Sequence, residues 1–231
     1  MQEKTLIAKP NSSEIKYPRT FHLPYSLGAT NDDKIARSID SLLNKDLVIT
    51  EKMDGSNVCL EREKCFARTH SGPPTHSSFD AFKALHAGIK FNIPDSYQVF
   101  GEWLYAVHSI QYNSLPGYLL LFGVRESNTM TWLSWDDVEY WAEQLGVFTV
   151  PVLEKCKVET AKELPEKIES LIVNPSTYGE EKEGAVVRVA GRFKNNVFDS
   201  NVLKNVRAGH VNTDIHWATQ EIVRNSLKGK K

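Results

Sequence analysis

Apolar residues in this chain switch between helical spacing and short, nearly continuous runs, and the switches mark out its elements. Ile35, Ile39, Leu42 and Leu43, within Asp32 to Leu43, predict a short amphipathic helix. Leu47-Val48-Ile49 leads into Thr50-Glu51-Lys52-Met53-Asp54-Gly55-Ser56-Asn57, and Val58-Cys59-Leu60 leads out. That order predicts a buried strand, a tight corner at Asp54-Gly55 and a second strand folding back. Gly55 is the corner residue able to take a positive φ without steric penalty. Phe79, Phe82, His86 and Ile89 predict a second helix, ended by Ile93-Pro94. Tyr97 to Leu104 and Tyr118 to Arg125 read as strands. Ser134 with Asp137 three places on predicts a capped helix carrying Val138, Trp141, Ala142 and Leu145. Phe148 to Leu153 reads as one strand with an edge position at Pro151. Leu164, Ile168, Leu171 and Ile172 mark a helix whose start Pro165 leaves open, and Gly184 to Val189 is a strand. Ile215, Ala218, Ile222 and Val223 predict a final helix.

Strands and helices mix here without regular βαβ alternation. The class expected is therefore α+β, with largely antiparallel sheets flanked by helices. With no internal repeat or low-complexity linker, residues 1–231 read as one domain, with a flexible arm over 1–14 and a basic tail over 226–231. A hydrophobic content of 41% beside 25% charged residues places the chain among ordinary globular proteins rather than disordered ones. No apolar run is long enough to span a bilayer, and no apolar segment follows the N-terminus, so a cytoplasmic location and no membrane partner are expected. The three cysteines form no CxxC pair, which suits a reducing compartment, and the seven histidines show no zinc spacing. A formal charge of −1 supplies no global attraction for nucleic acid, so any such binding needs a local basic patch.

Lys52, Glu102, Glu183 and Lys204 change the picture, because each interrupts or ends a strongly apolar strand. Taken singly, each reads as a solvated strand end. Taken together, they put two carboxylates and two lysines at sheet edges, with Arg68 as a fifth candidate, and buried charges need partners. A shared pocket of this composition suits a phosphate-rich ligand with a divalent metal. Neither a P-loop nor a dinucleotide-binding glycine motif is present.

The order of these segments resembles the motif series of covalent nucleotidyltransferases. The segments are Glu51-Lys52-Met53-Asp54-Gly55-Ser56-Asn57, Ala67-Arg68-Thr69, Phe100-Gly101-Glu102, Leu121-Phe122-Gly123, Glu183 to Arg188 and Val202-Leu203-Lys204. Within that superfamily the chain is most similar to the ATP-dependent RNA ligases, especially those sealing nicks in duplex RNA. The resemblance spans residues 47 to 207. It implies a nucleotidyltransferase fold of the ligase type, ATP with Mg²⁺ or Mn²⁺, and RNA with 5′-phosphate and 3′-hydroxyl ends. It names no obligate protein partner.

Carried over by position, the resemblance makes Lys52 the nucleophile that captures AMP. Lys52, Asp54, Asn57 and Lys204 form the implied catalytic set. Glu51 would contact the adenine edge, Phe122 would stack on the base, and Glu102 would accept from the ribose. Glu183 would hold the metal and Lys204 the α-phosphate. Arg68 would meet the nucleotide phosphates or the RNA 5′-phosphate, and Asn57 would serve the RNA-dependent steps. For Phe122, core packing competes with stacking.

A second basic residue is usual two positions after Lys204, where this chain has Val206; Arg207 or Lys194 is expected to substitute, and Arg207 to touch nucleic acid. Arg192, His210 and Lys228 are further candidates for RNA grip, as are the segments Tyr17 to His22 and Tyr105 to Ser109. Only 27 residues follow Lys204, too few for an OB-fold. Sealing of DNA nicks, capping with GTP, and a noncatalytic nucleotide- or RNA-binding module are the rival readings.

A free lysine amine is mostly protonated at neutral pH, and the neighbouring carboxylates Glu51 and Asp54 favour the ammonium further. Something cationic must offset them before Lys52 can attack.

Overall fold

The computed structural model describes residues 16–69, 72–209 and 221–229. In chain order its first strands are β1 (Phe21–His22), β2 (Asp46–Lys52), β3 (Ser56–Leu60) and β4 (Cys65–Ala67), followed by helix α1 (Asp80–Ile89). Strands β5 (Tyr97–Trp103), β6 (Leu119–Glu126) and β7 (Thr131–Trp132) lead to α2 (Trp135–Leu145). Next come β8 (Phe148–Thr149), β9 (Val152–Lys157) and α3 (Glu163–Ile172). The last elements are β10 (Gly184–Val189), β11 (Phe193–Lys194), a four-residue α4 (Phe198–Asn201) and β12 (Val202–Val206).

The strands form two sheets. The first runs β1-β12-β10-β2-β9, and the second β11-β7-β6-β5-β3-β4 with β8 paired to β6. Among the described strands, the β1/β12 and β6/β8 pairs are parallel and the other strand-to-strand pairs antiparallel, as the pattern predicted. Alternation along the strands sorts side chains by face. Leu47, Ile49, Ala185, Val187 and Leu203 of the first sheet join Leu164 and Ile168 of α3 in one apolar cluster. Thr50, Lys52, Val186, Arg188, Val202 and Lys204 face the other way, into a cavity shared with residues of the second sheet.

Local signals explain several elements. Ser134 caps α2 through a reciprocal box with Asp137, and Gly146 ends that helix at φ 64°. Pro165 lies in the first turn of α3, where its missing N–H is tolerated. Among the described residues no helix is long and apolar enough to cross a membrane.

Five expectations need correction. Asp32 to Leu43 is no α-helix: His22 bonds the Lys34 carbonyl and the Ala36 amide, recruiting that backbone to β1, and only a 3-10 turn at Asp40–Leu42 remains. β2 and β3 do not pair as a hairpin, because the Asp54-Gly55 corner carries the chain from one sheet to the other. Gly55 accordingly does not use positive φ but close approach, a Cβ there standing 2.7 Å from the Trp103 carbonyl oxygen. The Phe148 to Leu153 run breaks at Pro151 into β8 and β9, which join different sheets. The predicted final helix falls mostly outside the described residues, and its described part, Ile222 and Val223, is not helical. The arm at 1–14, His210 and the last two residues of the tail also lie outside them.

Candidate active site

A cavity of about 590 Å³ lies between the two sheets. The first sheet contributes Lys52 and Lys204; the second contributes Asn57, Glu102 and Phe122; Arg68 stands at the exposed rim. Tyr17 and Thr20 from the segment before β1 also line it, as does His108. Register explains the convergence. Lys52 sits opposite Gly184 at the end of β2, beside β10, and Glu102 sits opposite Asn57 across β5 and β3. Gly184 is required where β10 passes β12, since a Cβ would fall 1.9 Å from the Asn205 carbonyl oxygen.

Lys52 Nζ donates to Glu183 Oε2 at 2.6 Å. Burial pulls its pKa down, but Glu183 and Glu102 outweigh burial and hold the amine as an ammonium, above its ordinary value. Glu102 is pushed up to about 8, chiefly by burial, with Lys52 pulling the other way. Lys204 is shifted down by burial and by the Lys52 charge, with Asp33 opposing at 3.3 Å. The two lysines thus differ in electrostatic setting although they line one cavity.

Asp54 and Glu51 are each held by donors from loops far along the chain, and Glu51 is also among the residues lining the cavity. Asp54 Oδ2 accepts from the amides of Ser109 and Ile110 at 2.7 and 2.9 Å, and its own amide donates to the Tyr112 hydroxyl at 2.8 Å. The carboxylate fastens the corner after Lys52 to the 109–112 segment. Strand alternation turns Glu51 away from Lys52, and its carboxylate accepts from the Ser176 hydroxyl and, at 3.0 Å, from the Thr177 amide. Asn57 Oδ1 is buried without a hydrogen-bond partner among the described residues, an arrangement that asks for a donor from a ligand. Phe122 is half-buried, with its ring 5.0 Å from that of Tyr17.

The proposed substitutes for the missing second cation are not brought to the site. Arg207 has the opposite strand parity to Lys204 and pairs with Glu181, and Lys194 donates to Thr129 and Thr131. Neither lines the cavity. Arg192 is paired with Asp137. Sequence reasoning missed Asp33, which Lys204 reaches, and Arg188, a buried cation in the cavity wall. Asp33 carried no signal, because it falls in the stretch read as helix. Arg188 was visible only as the last residue of the Glu183 to Arg188 segment, with no role attached to it.

A metal site built by the protein alone is absent among the described residues: no three His, Cys, Asp or Glu side chains converge. Glu183 and Glu102 are the carboxylates beside Lys52, and such a pair suits Mg²⁺ or Mn²⁺, which bind through one or two carboxylates plus water and substrate phosphates.

This arrangement of two sheets around a lysine-bearing, carboxylate-lined cleft defines a nucleotidyltransferase-type ligase fold. The RNA ligase family model matches residues 45–206, and the chain belongs to that family. No curated protein matches it in sequence. Among solved structures, a mutant Naegleria gruberi RNA ligase with ATP and Mn is similar at TM-score 0.51 and 15% identity, over 87% of this chain and 62% of that one. The Naegleria gruberi RNA ligase with PPi gives 0.51 and 17%, over 86% and 61%. An archaeal ATP-dependent RNA ligase gives 0.54 and 18%, over 83% and 48%. The chain therefore spans about half to three-fifths of the length of these structures.

Proposed function

We propose that this chain carries out ATP-dependent RNA ligation through a covalent lysyl-adenylate on Lys52. The observation that carries the reading is one lysine amine held against a carboxylate in a cleft that also offers a second lysine and an aromatic wall. In the first step the Nζ lone pair attacks the α-phosphorus of ATP. An N–P bond forms, the bond to the bridging oxygen breaks, and pyrophosphate leaves with the electron pair. Lys52 must shed a proton to solvent before it attacks, which leaves the neighbouring Glu183 carboxylate free to hold the metal. The RNA 5′-phosphate then attacks the adenylate phosphorus and returns the amine. A 3′-hydroxyl finally attacks the activated 5′-phosphorus and releases AMP.

Phe122 supplies a face for the base, Glu102 an acceptor for the ribose, and Lys204 a charge at the α-phosphate. Arg68 at the rim and Asn57, whose Oδ1 has no partner among the described residues, would meet the RNA end. Glu51 and Asp54 act as positioning residues that fix the strand and corner on either side of the nucleophile. Glu183 would hold Mg²⁺ or Mn²⁺, which neutralises developing phosphate charge and favours the free amine.

Incubation with α-labelled ATP and Mg²⁺, followed by a denaturing gel, tests the reading. Wild-type protein should retain label and Lys52→Ala should not. Label kept by Lys52→Ala, or binding that leaves no adduct, would overturn it; the latter would favour a noncatalytic binding module. Parallel trials with GTP and with nicked DNA separate the capping and DNA-sealing alternatives.

A further inference from the structure

We propose that Arg19 is a second polyphosphate-binding cation of this site, paired with Lys204 across the carboxylate of Asp33. The inference rests on the adenylylation reading above. It concerns a residue outside the 45–206 span matched by the family model.

The two cations converge on one atom. Lys204 Nζ lies 3.3 Å and Arg19 Nη2 3.8 Å from Asp33 Oδ1. Asp33 is itself fixed, since its other oxygen accepts from the amide and hydroxyl of Thr30 at 3.1 and 3.0 Å. Arg19 also donates to the Asp32 carbonyl. The carboxylate therefore acts as a stationary seat on which both cations rest.

Chain register places Arg19 there. β1 runs parallel to β12 with Phe21 opposite Leu203 and His22 opposite Lys204, so Arg19, two residues before β1, lies alongside the start of β12, and its long side chain reaches the Asp33 carboxylate that Lys204 also touches. Tyr17 and Thr20, on either side of Arg19, line the cavity that holds Lys52 and Lys204. The Arg19 side chain is 48% exposed, so an incoming anion can reach it.

Charge completes the argument. Two cations share one carboxylate, so Arg19, Lys204 and Asp33 together carry a net positive charge. A triphosphate whose α-phosphate meets Lys204 extends its remaining phosphates beyond it, and the forked guanidinium suits their oxygens. His22 Nε2, 3.3 Å from the same Asp33 oxygen, is kept neutral by burial and by the Lys204 charge, so it adds no competing cation. Arg19 then contacts the part of ATP that leaves as pyrophosphate, and has no such contact once AMP alone remains on Lys52.

That asymmetry supplies the test. Full-length wild type, Arg19→Gln and Arg19→Lys are compared for labelling across ATP concentrations, for pyrophosphate-driven release of label, and for sealing of a pre-adenylylated RNA strand. In Arg19→Gln, half-maximal labelling should need about tenfold more ATP and release should slow by a similar factor. Sealing, which uses no pyrophosphate group, should stay within about twofold, and Arg19→Lys should fall between. Unchanged labelling and release in Arg19→Gln overturn the proposal. So does an equal loss of all three activities in both variants, which marks Arg19 as structural. A wild-type chain that takes no label defeats the adenylylation reading itself, a result readily told apart from the others.

Discussion

Lys52 and Glu183 form an ion pair at 2.6 Å, and that pair silences the amine it positions. The same carboxylate that fixes the nucleophile's location also heads the charges that keep it protonated. In nucleotide- and metal-free protein, Lys52 should therefore react sluggishly with an amine-acylating reagent. Glu183→Gln should raise its reactivity at pH 8, because the first of the charges that favour the ammonium is then gone. Glu102 and Asp54 remain, so the gain is partial. Peptide mass spectrometry of acylation at Lys52 against surface lysines measures this. Equal rates in the two proteins would show that Glu183 does not set the amine's charge.

Glu102 gives a pH dependence of stability with a definite sign. Its folded pKa, about 8, lies above the ordinary 4.5, so folding favours the protonated form. The stabilisation is complete below pH 4.5 and is lost as pH rises through 8. Wild type should accordingly lose melting temperature relative to Glu102→Gln between pH 5 and pH 9. A difference between the two that stays constant with pH would remove Glu102 as the cause.

Much of this was legible in the sequence, for reasons that particular residues show. Lys52, Glu102 and Lys204 stood out because a charge inside an apolar strand contradicts its surroundings, and they do line one cavity. Ser134 and Asp137 announced α2 because a cap depends only on residues three apart. Long-range partners were not legible. Asp33 reaches Lys204 across 171 positions, and nothing near Asp33 in the chain reports that contact. The Asp54-Gly55 corner read as a hairpin because local pattern reports turning but not which strand is then joined. Arg207 seemed able to replace a cation at position 206, yet a shift of one residue along β12 sends a side chain to the opposite face.

Arg188 supports the last prediction, because it ties the two sheets together behind the cavity. Its guanidinium is buried and donates to the carbonyls of Leu133 at 2.7 Å, Phe122 at 3.2 Å and Val189 at 3.3 Å. It also lies 5.6 Å from the ring centroids of Trp135 and Phe193. Burial lowers its pKa to about 10, still protonated at neutral pH. Arg188→Met keeps length and apolar contact but leaves the buried carbonyls without these donors, at a cost of about 3 kcal/mol. Urea unfolding should show that loss with an unchanged m-value. Because the Phe122 carbonyl is one of the anchors, half-maximal labelling should also need more ATP in this variant. Arg188→Lys should recover little of the stability, since one ammonium cannot span carbonyls on both sheets as the fork does. A cost below about 1 kcal/mol for Arg188→Met would mean that the carbonyls find other donors and that the tie is not structural.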